Sequence, residues 1–194
     1  MKFRVGILLY DDVELLDFAG PAEVFASAKQ KDESCFEVIT IGIADFHVFV
    51  YGGIEVTTNL TIKAKPHLDL IIVPGGYGIE EVQRTTALSA WLNHYKAKGV
   101  RIASVCTGAF LLGELGFLNG IKATTHHEDL ADFQKRFPQI EAVSDVRFVD
   151  EGQILTSAGI SAGIDMALYL VEQFCGKDVA QNCSKRMEWD RRFS

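Results

Sequence analysis

The segment 102–112 constrains the fold of this chain most, because its pattern changes from strand to helix without a loop. Ile102–Val105 is a run of four small or β-favouring residues, which predicts a buried strand. From Gly108 onward, the apolar side chains of Phe110–Leu112 predict a helix with one side turned inward. Cys106 therefore falls at a sharp strand-to-helix junction, which is typical of an α/β fold.

A cysteine at such a junction has the sequence context of a nucleophile elbow. We expect the backbone of Cys106 to be strained and its side chain to be exposed at the edge of the sheet. The small neighbours Ser104 and Gly108 allow the strand and the helix to approach each other. We also expect the positive end of the helix to favour the thiolate. The alternative is a buried cysteine that packs as a small apolar residue.

Composition indicates a soluble globular protein that forms one domain over residues 1–194. The chain is 48% hydrophobic and 23% charged, and its net charge of −7 argues against a nucleic-acid partner. No apolar run is long enough to span a membrane, and Met1–Tyr10 reads as a first strand instead of a signal peptide. The four cysteines have no metal-ligand spacing, so we expect reduced thiols in a cytoplasmic protein.

Strands alternate with helices along the chain, which predicts a three-layer α/β sandwich around a largely parallel sheet. The predicted strands are 4–10, 36–44, 68–73, 101–105 and 122–125, with hairpins over 48–58 and 143–157. Six helices are predicted. The first has Pro21 in its first turn, and the fourth begins at 126–129. The other four are 80–98, 107–115, 164–174 with Ser161 as N-cap, and 178–188.

Asp17 follows the first predicted strand and lies near a helix start, among apolar neighbours. One interpretation is a capping or solvated loop carboxylate. The other is a catalytic carboxyl group in the same crevice as Cys106, because sites in open α/β sheets collect beyond the carboxyl ends of the strands.

The glycines after the strand 68–73 provide backbone that a reacting group can approach. The N–H of Gly75 or Gly76, together with that of Thr107, is a candidate two-donor oxyanion hole; a plain strand-to-helix turn is the alternative. The Walker lysine and a third glycine at dinucleotide spacing are missing, so we predict no nucleotide cofactor.

His126 and His127 are adjacent in the sequence and point in different directions, so a shared metal is not predicted. His126 is a candidate base for Cys106, or a hydrogen-bond partner that positions Cys106 without touching the substrate. A structural histidine is the alternative.

These motifs together resemble the ThiJ/PfpI superfamily, the cysteine-containing relatives of the class I glutamine amidotransferases, over nearly the whole chain. The motifs that carry the resemblance are Leu16–Pro21, Pro74–Gly76, Ser104–Gly108, Ala123–His126 and Thr156–Asp165. The resemblance implies a flavodoxin-like sheet, a homodimer and a small-molecule substrate. The aspartate at 17 and the threonine at 107 are most similar to the isonitrile hydratases and to the sensor domain of AraC-type regulators.

The resemblance implies hydration or hydrolysis of a small electrophilic carbon, with Cys106 as nucleophile and Asp17 and Thr107 assisting. Peptidases and glyoxalase-like members carry glutamate at the position of Asp17, and no late histidine–glutamate pair supports a glutaminase triad. The regulators continue into a DNA-binding domain, which we do not expect after the last predicted helix of this chain, so we expect no DNA binding. The alternatives are a non-catalytic ligand sensor, a redox-responsive protein, and an amidase or peptidase.

Overall fold

The computed structural model describes residues 2–190, so Met1 and residues 191–194 of the predicted domain lie outside the described residues. The strands are β1 (Phe3–Leu9), β2 (Lys29–Gln30), β3 (Glu33–Ser34), β4 (Phe36–Gly42), β5 (His47–Val50), β6 (Ile54–Thr57), β7 (Leu60–Thr61), β8 (Leu70–Val73), β9 (Arg101–Val105), β10 (Lys122–Ala123), β11 (Glu141–Ala142), β12 (Phe148–Glu151) and β13 (Ile154–Ser157). The helices are α1 (Leu15–Ser27), α2 (Ile79–Gln83), α3 (Thr86–Ala97), α4 (Gly108–Glu114), α5 (Leu130–Arg136), α6 (Ala162–Cys175) and α7 (Lys177–Arg186), with a 3₁₀ turn over His127–Asp129.

A seven-stranded sheet lies at the centre, in the order β12-β13-β9-β8-β1-β4-β7. Every pairing in it is parallel except β12 with β13. Val5–Leu9 and Leu70–Val73 are buried at every position. Because successive side chains of a strand point to opposite faces, burial of all of them requires cover on both faces. Helices flank the sheet, with α1, α6 and α7 packed on one another and α2 in contact with α3 and α4, as the α/β prediction required.

The strand order places a crevice at the carboxyl ends of β1 and β8. β1 pairs with β4 on one side and with β8 on the other, so β4 and β7 are added on one side of β1, and β8, β9, β13 and β12 on the other. Ligand sites in open α/β sheets lie at such a switch point. β9 pairs with β8 in register, Val73 opposite Ser104, which brings the segments after both strands to the same edge.

Both predicted hairpins are confirmed, as β5 with β6 and as β12 with β13. The short strand predicted over 122–125 is β10, but it pairs with β11 in a separate two-stranded sheet.

The single helix predicted over 80–98 is wrong, because the chain forms α2 and α3 with a break between them. Thr85 is extended, with φ −80° and ψ 100°, and its N–H bonds to the carbonyl of Val82. Two adjacent β-branched residues, Thr85 and Thr86, are poor helix formers, and apolar periodicity does not report this.

Two predicted helix starts also differ. α1 begins at Leu15, so Pro21 lies inside the helix instead of its first turn and has no N–H to give to the carbonyl of Asp17. Ser161 precedes α6 but makes no capping hydrogen bond, since its hydroxyl accepts one from Arg147.

Among residues 2–190, no helix is long and apolar enough to cross a membrane.

Candidate active site

Cys106 occupies the junction between β9 and α4 with a strained backbone. Its φ is 56°, in the left-handed region that a non-glycine residue rarely adopts, and its N–H points at the carbonyls of Ser157 and Ala158, 3.2 Å from each. A Cβ at Gly108 would lie 2.2 Å from the carbonyl oxygen of Val73, so only glycine lets α4 start this close to the end of β8. The expected backbone strain is confirmed, whereas the expected exposure of the side chain is wrong, because Cys106 is only 8% exposed among the segments that close over the elbow.

Asp17 lies in the first turn of α1 and is completely buried. Its Oδ2 accepts a hydrogen bond from the N–H of Gly75 at 2.9 Å, and its Oδ1 has no partner among the described residues. Burial raises the pKa of Asp17 to about 7; the negative charge of Glu14 raises it further, while the Gly75 N–H and the Cys106 thiol lower it. Asp17 is thus neither a solvated loop carboxylate nor an exposed cap.

The Cys106 thiol and the Asp17 carboxyl lie close enough for each to shift the pKa of the other. Burial raises the pKa of the thiol to about 12, and the charges of Asp17 and Asp129 act in the same direction. The N–H groups of Thr107 and Ile160 lower it without offsetting the burial. The expectation that the helix favours a thiolate is therefore wrong, because desolvation and negative neighbours outweigh the N–H groups.

The two glycines after β8 already have hydrogen-bond acceptors. The N–H of Gly75 donates to Asp17, and the N–H of Gly76 donates to Thr107 Oγ1 at 3.0 Å. A Cβ at Gly75 would lie 2.5 Å from Thr107 Oγ1 and 2.6 Å from Thr107 N, so this position has no room for a side chain. In this arrangement the glycines hold the carboxyl and the hydroxyl in place, and the N–H of Thr107 is the member of the predicted oxyanion pair that acts on the sulfur.

Ile160 belongs to the site, although nothing in its residue type predicted a role for it. Its backbone N–H lowers the pKa of both Cys106 and Asp17, so it lies close to both groups. Its φ of 53° is rare for a β-branched residue and indicates a loop held in place by its surroundings. The Thr156–Asp165 motif indicated that this loop belongs to the family's site, but it did not indicate that a main-chain N–H is the functional group.

His126 lies on the wall of the same cleft. Its ring fills the space that a Cβ at Gly159 would occupy, 2.0 Å from His126 Cδ2. Its Nδ1 accepts from the N–H of Glu128 at 3.4 Å and lies 3.7 Å from Asp129 Oδ2. No hydrogen bond between residues 2–190 joins His126 to Cys106, whereas the hydroxyl of Thr125 donates to the Cys106 carbonyl at 2.8 Å.

The cleft above the thiol has a volume of about 530 Å³, enough for a small molecule. Its lining residues come from five separate segments of the chain: Glu14, Gly76, Tyr77, Ile79, Glu80, Cys106, Thr107, His126, Glu128, Asp129 and Ile160. Within the described part of the chain, no three histidine, cysteine or acidic side chains are grouped as metal ligands, and the four cysteines are free thiols.

A profile of the DJ-1/PfpI family matches residues 3–173 of this chain. The isonitrile hydratase of Pseudomonas putida is 33% identical over 191 residues, which cover 97% of this chain and 79% of that protein. The HTH-type transcriptional regulator GbdR of Pseudomonas aeruginosa is 28% identical over 188 residues, covering 96% of this chain and 51% of the regulator. The chain thus spans about half the length of that relative.

Solved structures show the same fold. A ThiJ/PfpI family protein from Pseudomonas syringae superposes with a TM-score of 0.86 at 25% identity, covering 100% of this chain and 77% of that one. DJ-1beta of Drosophila melanogaster superposes with a TM-score of 0.87 at 20% identity, covering 98% of this chain and 100% of its own.

Proposed function

This chain belongs to the DJ-1/PfpI family, and we propose that it is a cysteine-dependent enzyme that hydrates an isonitrile or a similar small electrophilic carbon. One observation carries the proposal: a fully buried carboxyl group, Asp17, lies within interaction distance of a strained cysteine that lines a small-molecule cleft. The likeness to the isonitrile hydratase of Pseudomonas putida over 97% of this chain supports that reaction class.

The pKa values of Cys106 and Asp17 indicate which group gives up a proton and which accepts it. With a pKa near 12 the thiol is protonated at neutral pH, so a base must remove its proton during attack. Asp17, with a pKa near 7, is present in both protonation states and can accept that proton and return it.

In the proposed reaction, Cys106 Sγ forms a bond to the terminal carbon of the isonitrile. The thiol proton passes to Asp17 and from there to the same carbon, which gives an enzyme-bound thioimidate. Water then adds to this carbon while the nitrogen takes one of its protons. Cleavage of the carbon–sulfur bond, with return of the remaining hydroxyl proton to sulfur, releases an N-substituted formamide and restores the thiol.

The test is turnover of an aryl isonitrile, followed by absorbance and product mass, in the wild type and in Cys106→Ala and Asp17→Asn. We expect saturable formamide production that both substitutions abolish, and kcat/KM that rises as the pH increases through about 7, because the carboxylate form must accept the proton. Cys35→Ala is the matched control, because it removes a thiol that does not line the cleft. Absence of turnover by folded wild type would rule out this substrate class.

A ligand-binding sensor is the second candidate, and the likeness to half of a transcriptional regulator favours it. Saturable binding of a small molecule in the cleft without turnover, unchanged in Cys106→Ala, would support this function. A redox role is less favoured, because peroxides attack thiolates and the burial of Cys106 opposes thiolate formation.

A further inference from the structure

The charged side chains that line the cleft are predominantly negative. Four of its lining side chains are carboxylates: Glu14, Glu80, Glu128 and Asp129. Among the described residues no lysine or arginine lines it, and His126, when protonated, faces Asp129 and Glu128 and offsets part of their charge. The negative charge is specific to this cleft. A second cleft, of about 660 Å³, is lined by two lysines, Lys65 and Lys98, and by only one carboxylate, Asp69.

The negative charge reaches the reacting groups. Asp129 acts on the thiol of Cys106 and Glu14 acts on the carboxyl of Asp17, in each case opposing ionisation. Asp17 itself is completely buried, and its Oδ1 has no partner among residues 2–190. A positive charge that entered the cleft would therefore meet four carboxylates along its lining, one of which, Asp129, also acts on the thiol of Cys106.

An aromatic face completes the mouth of the cleft. Tyr77 is 75% exposed although it lies against Tyr51, with ring centroids 4.8 Å apart. The pKa of Tyr77 is raised, first by the neighbouring Tyr51 and to a smaller extent by the nearby carboxylates of Glu14 and Glu128. The face of an exposed aromatic ring attracts an ammonium group, and the nearby carboxylates add to that attraction.

We propose that this cleft selects electrophiles that carry a positive charge, such as a protonated amine or a quaternary ammonium group, over neutral and anionic ones. The inference rests on the proposed function, because it takes Cys106 as the reacting group. The bound cation offsets the negative charge around the sulfur, so the substrate itself makes loss of the thiol proton easier.

The test compares three methanethiosulfonate reagents that differ in charge: one with a trimethylammonium group, one neutral and one with a sulfonate. In each reaction Cys106 Sγ bonds to the reagent's thiol sulfur, methanesulfinate leaves, and the thiol proton passes to the nearby base. Rates are measured by protein mass, with Cys106→Ala to exclude other cysteines and with a small free thiol as reference. Relative to that reference, we expect the cationic reagent to react at least about tenfold faster than the anionic one at low ionic strength, and the ratio to fall as salt is added.

The double variant Glu128→Gln, Asp129→Asn is expected to reduce the ratio several-fold. Glu151→Gln, an exposed carboxylate outside the cleft, is the matched control and should leave it unchanged. A ratio equal to that of the free thiol, or one favouring the sulfonate, would overturn the inference.

Turnover of matched alkyl and ammonium-alkyl isonitriles separates this inference from the proposed function. If the reagents show the charge preference and no isonitrile is hydrated, the charge selection stands and the proposed function fails. If isonitriles are hydrated regardless of charge and the reagent ratio is flat, the proposed function stands and the charge selection fails.

Discussion

At the scale of single residues, burial gives Asp17 a pKa suited to proton transfer near neutral pH, at a cost to stability. A carboxyl group whose pKa is raised in the folded protein keeps its proton over a pH range in which the unfolded chain loses it. The unfolded state then binds fewer protons, so stability falls as the pH rises through that range. For Asp17 the range runs from about 3.8 to about 7.

We therefore expect Asp17→Asn to become more stable relative to wild type as the pH rises from 4 to 7, with no further change above 7. A shift from 3.8 to about 7 corresponds to at most about 4 kcal/mol, at about 1.4 kcal/mol per pKa unit. Urea unfolding across this range measures it, with the exposed Glu33→Gln as control. A difference between Asp17→Asn and wild type that does not vary with pH would show that the pKa of Asp17 is not raised.

Gly75 is limited by space rather than by backbone conformation. A Cβ there would collide with Thr107 N, a main-chain atom that cannot turn aside, and would lie 3.0 Å from Asp17 Oδ2. We expect Gly75→Ala to reduce kcat at least about tenfold, because small displacements of reacting groups are costly. Gly152→Ala is the control: its φ of 82° costs about 1 kcal/mol of stability in an alanine, but no atom lies within 4 Å, and activity should be kept. Full activity in Gly75→Ala would mean that the contact with Thr107 is not needed.

Side-chain candidates for the site could be predicted from the sequence, whereas main-chain donors could not. Cys106 and Asp17 stand out because of their residue type and their place after predicted strands. The N–H of Ile160 does not, since every residue has one and only its position in space makes it special. Burial of Asp17 could not be predicted either, because it depends on how the segments around Gly75 and Ile160 close over it.

At the scale of elements, the elbow between β9 and α4 stores strain. Cys106 keeps a left-handed conformation with its N–H directed at the carbonyls of Ser157, the last residue of β13, and of Ala158. The strand-to-helix junction at Cys106 could be predicted from the sequence, because small residues flank the cysteine. The sequence did not show the end of α2, where apolar periodicity continues across a break at Thr85.

The strain predicts a difference between two inactive variants. Cys106→Gly should be more stable than Cys106→Ala by about 1 kcal/mol, because glycine adopts a φ of 56° without the steric cost that alanine incurs. Urea unfolding of both variants measures it, and Cys183→Gly against Cys183→Ala is the control. Cys183 lies inside α7, where glycine should be the less stable by a similar amount. If Cys106→Gly is the less stable variant, the elbow is not strained.

At the scale of the whole molecule, the site exists because the sheet reverses its strand order. Asp17 follows β1, Gly75 follows β8, Cys106 follows β9 and Ile160 follows β13. These strands are neighbours in the sheet although their residues are far apart in the sequence. Alternating patterns of strand and helix predicted a parallel sheet, but strand order depends on long-range packing that no local pattern records.

The resemblance to the family predicts a homodimer, while the proposed catalytic groups all come from one chain. We therefore expect sedimentation velocity to give twice the chain mass of 21.4 kDa. We also expect activity per chain to stay constant as dilution shifts the equilibrium towards monomers. Exposed aromatic side chains on and beside the β5–β6 hairpin, Phe46, Phe49 and Tyr51, provide apolar surface for association. A monomer at every concentration would contradict the dimer. A loss of activity that follows dissociation would instead mean that a second copy contributes to the cleft, since Asp17, Cys106 and Ile160 are already together in the single chain.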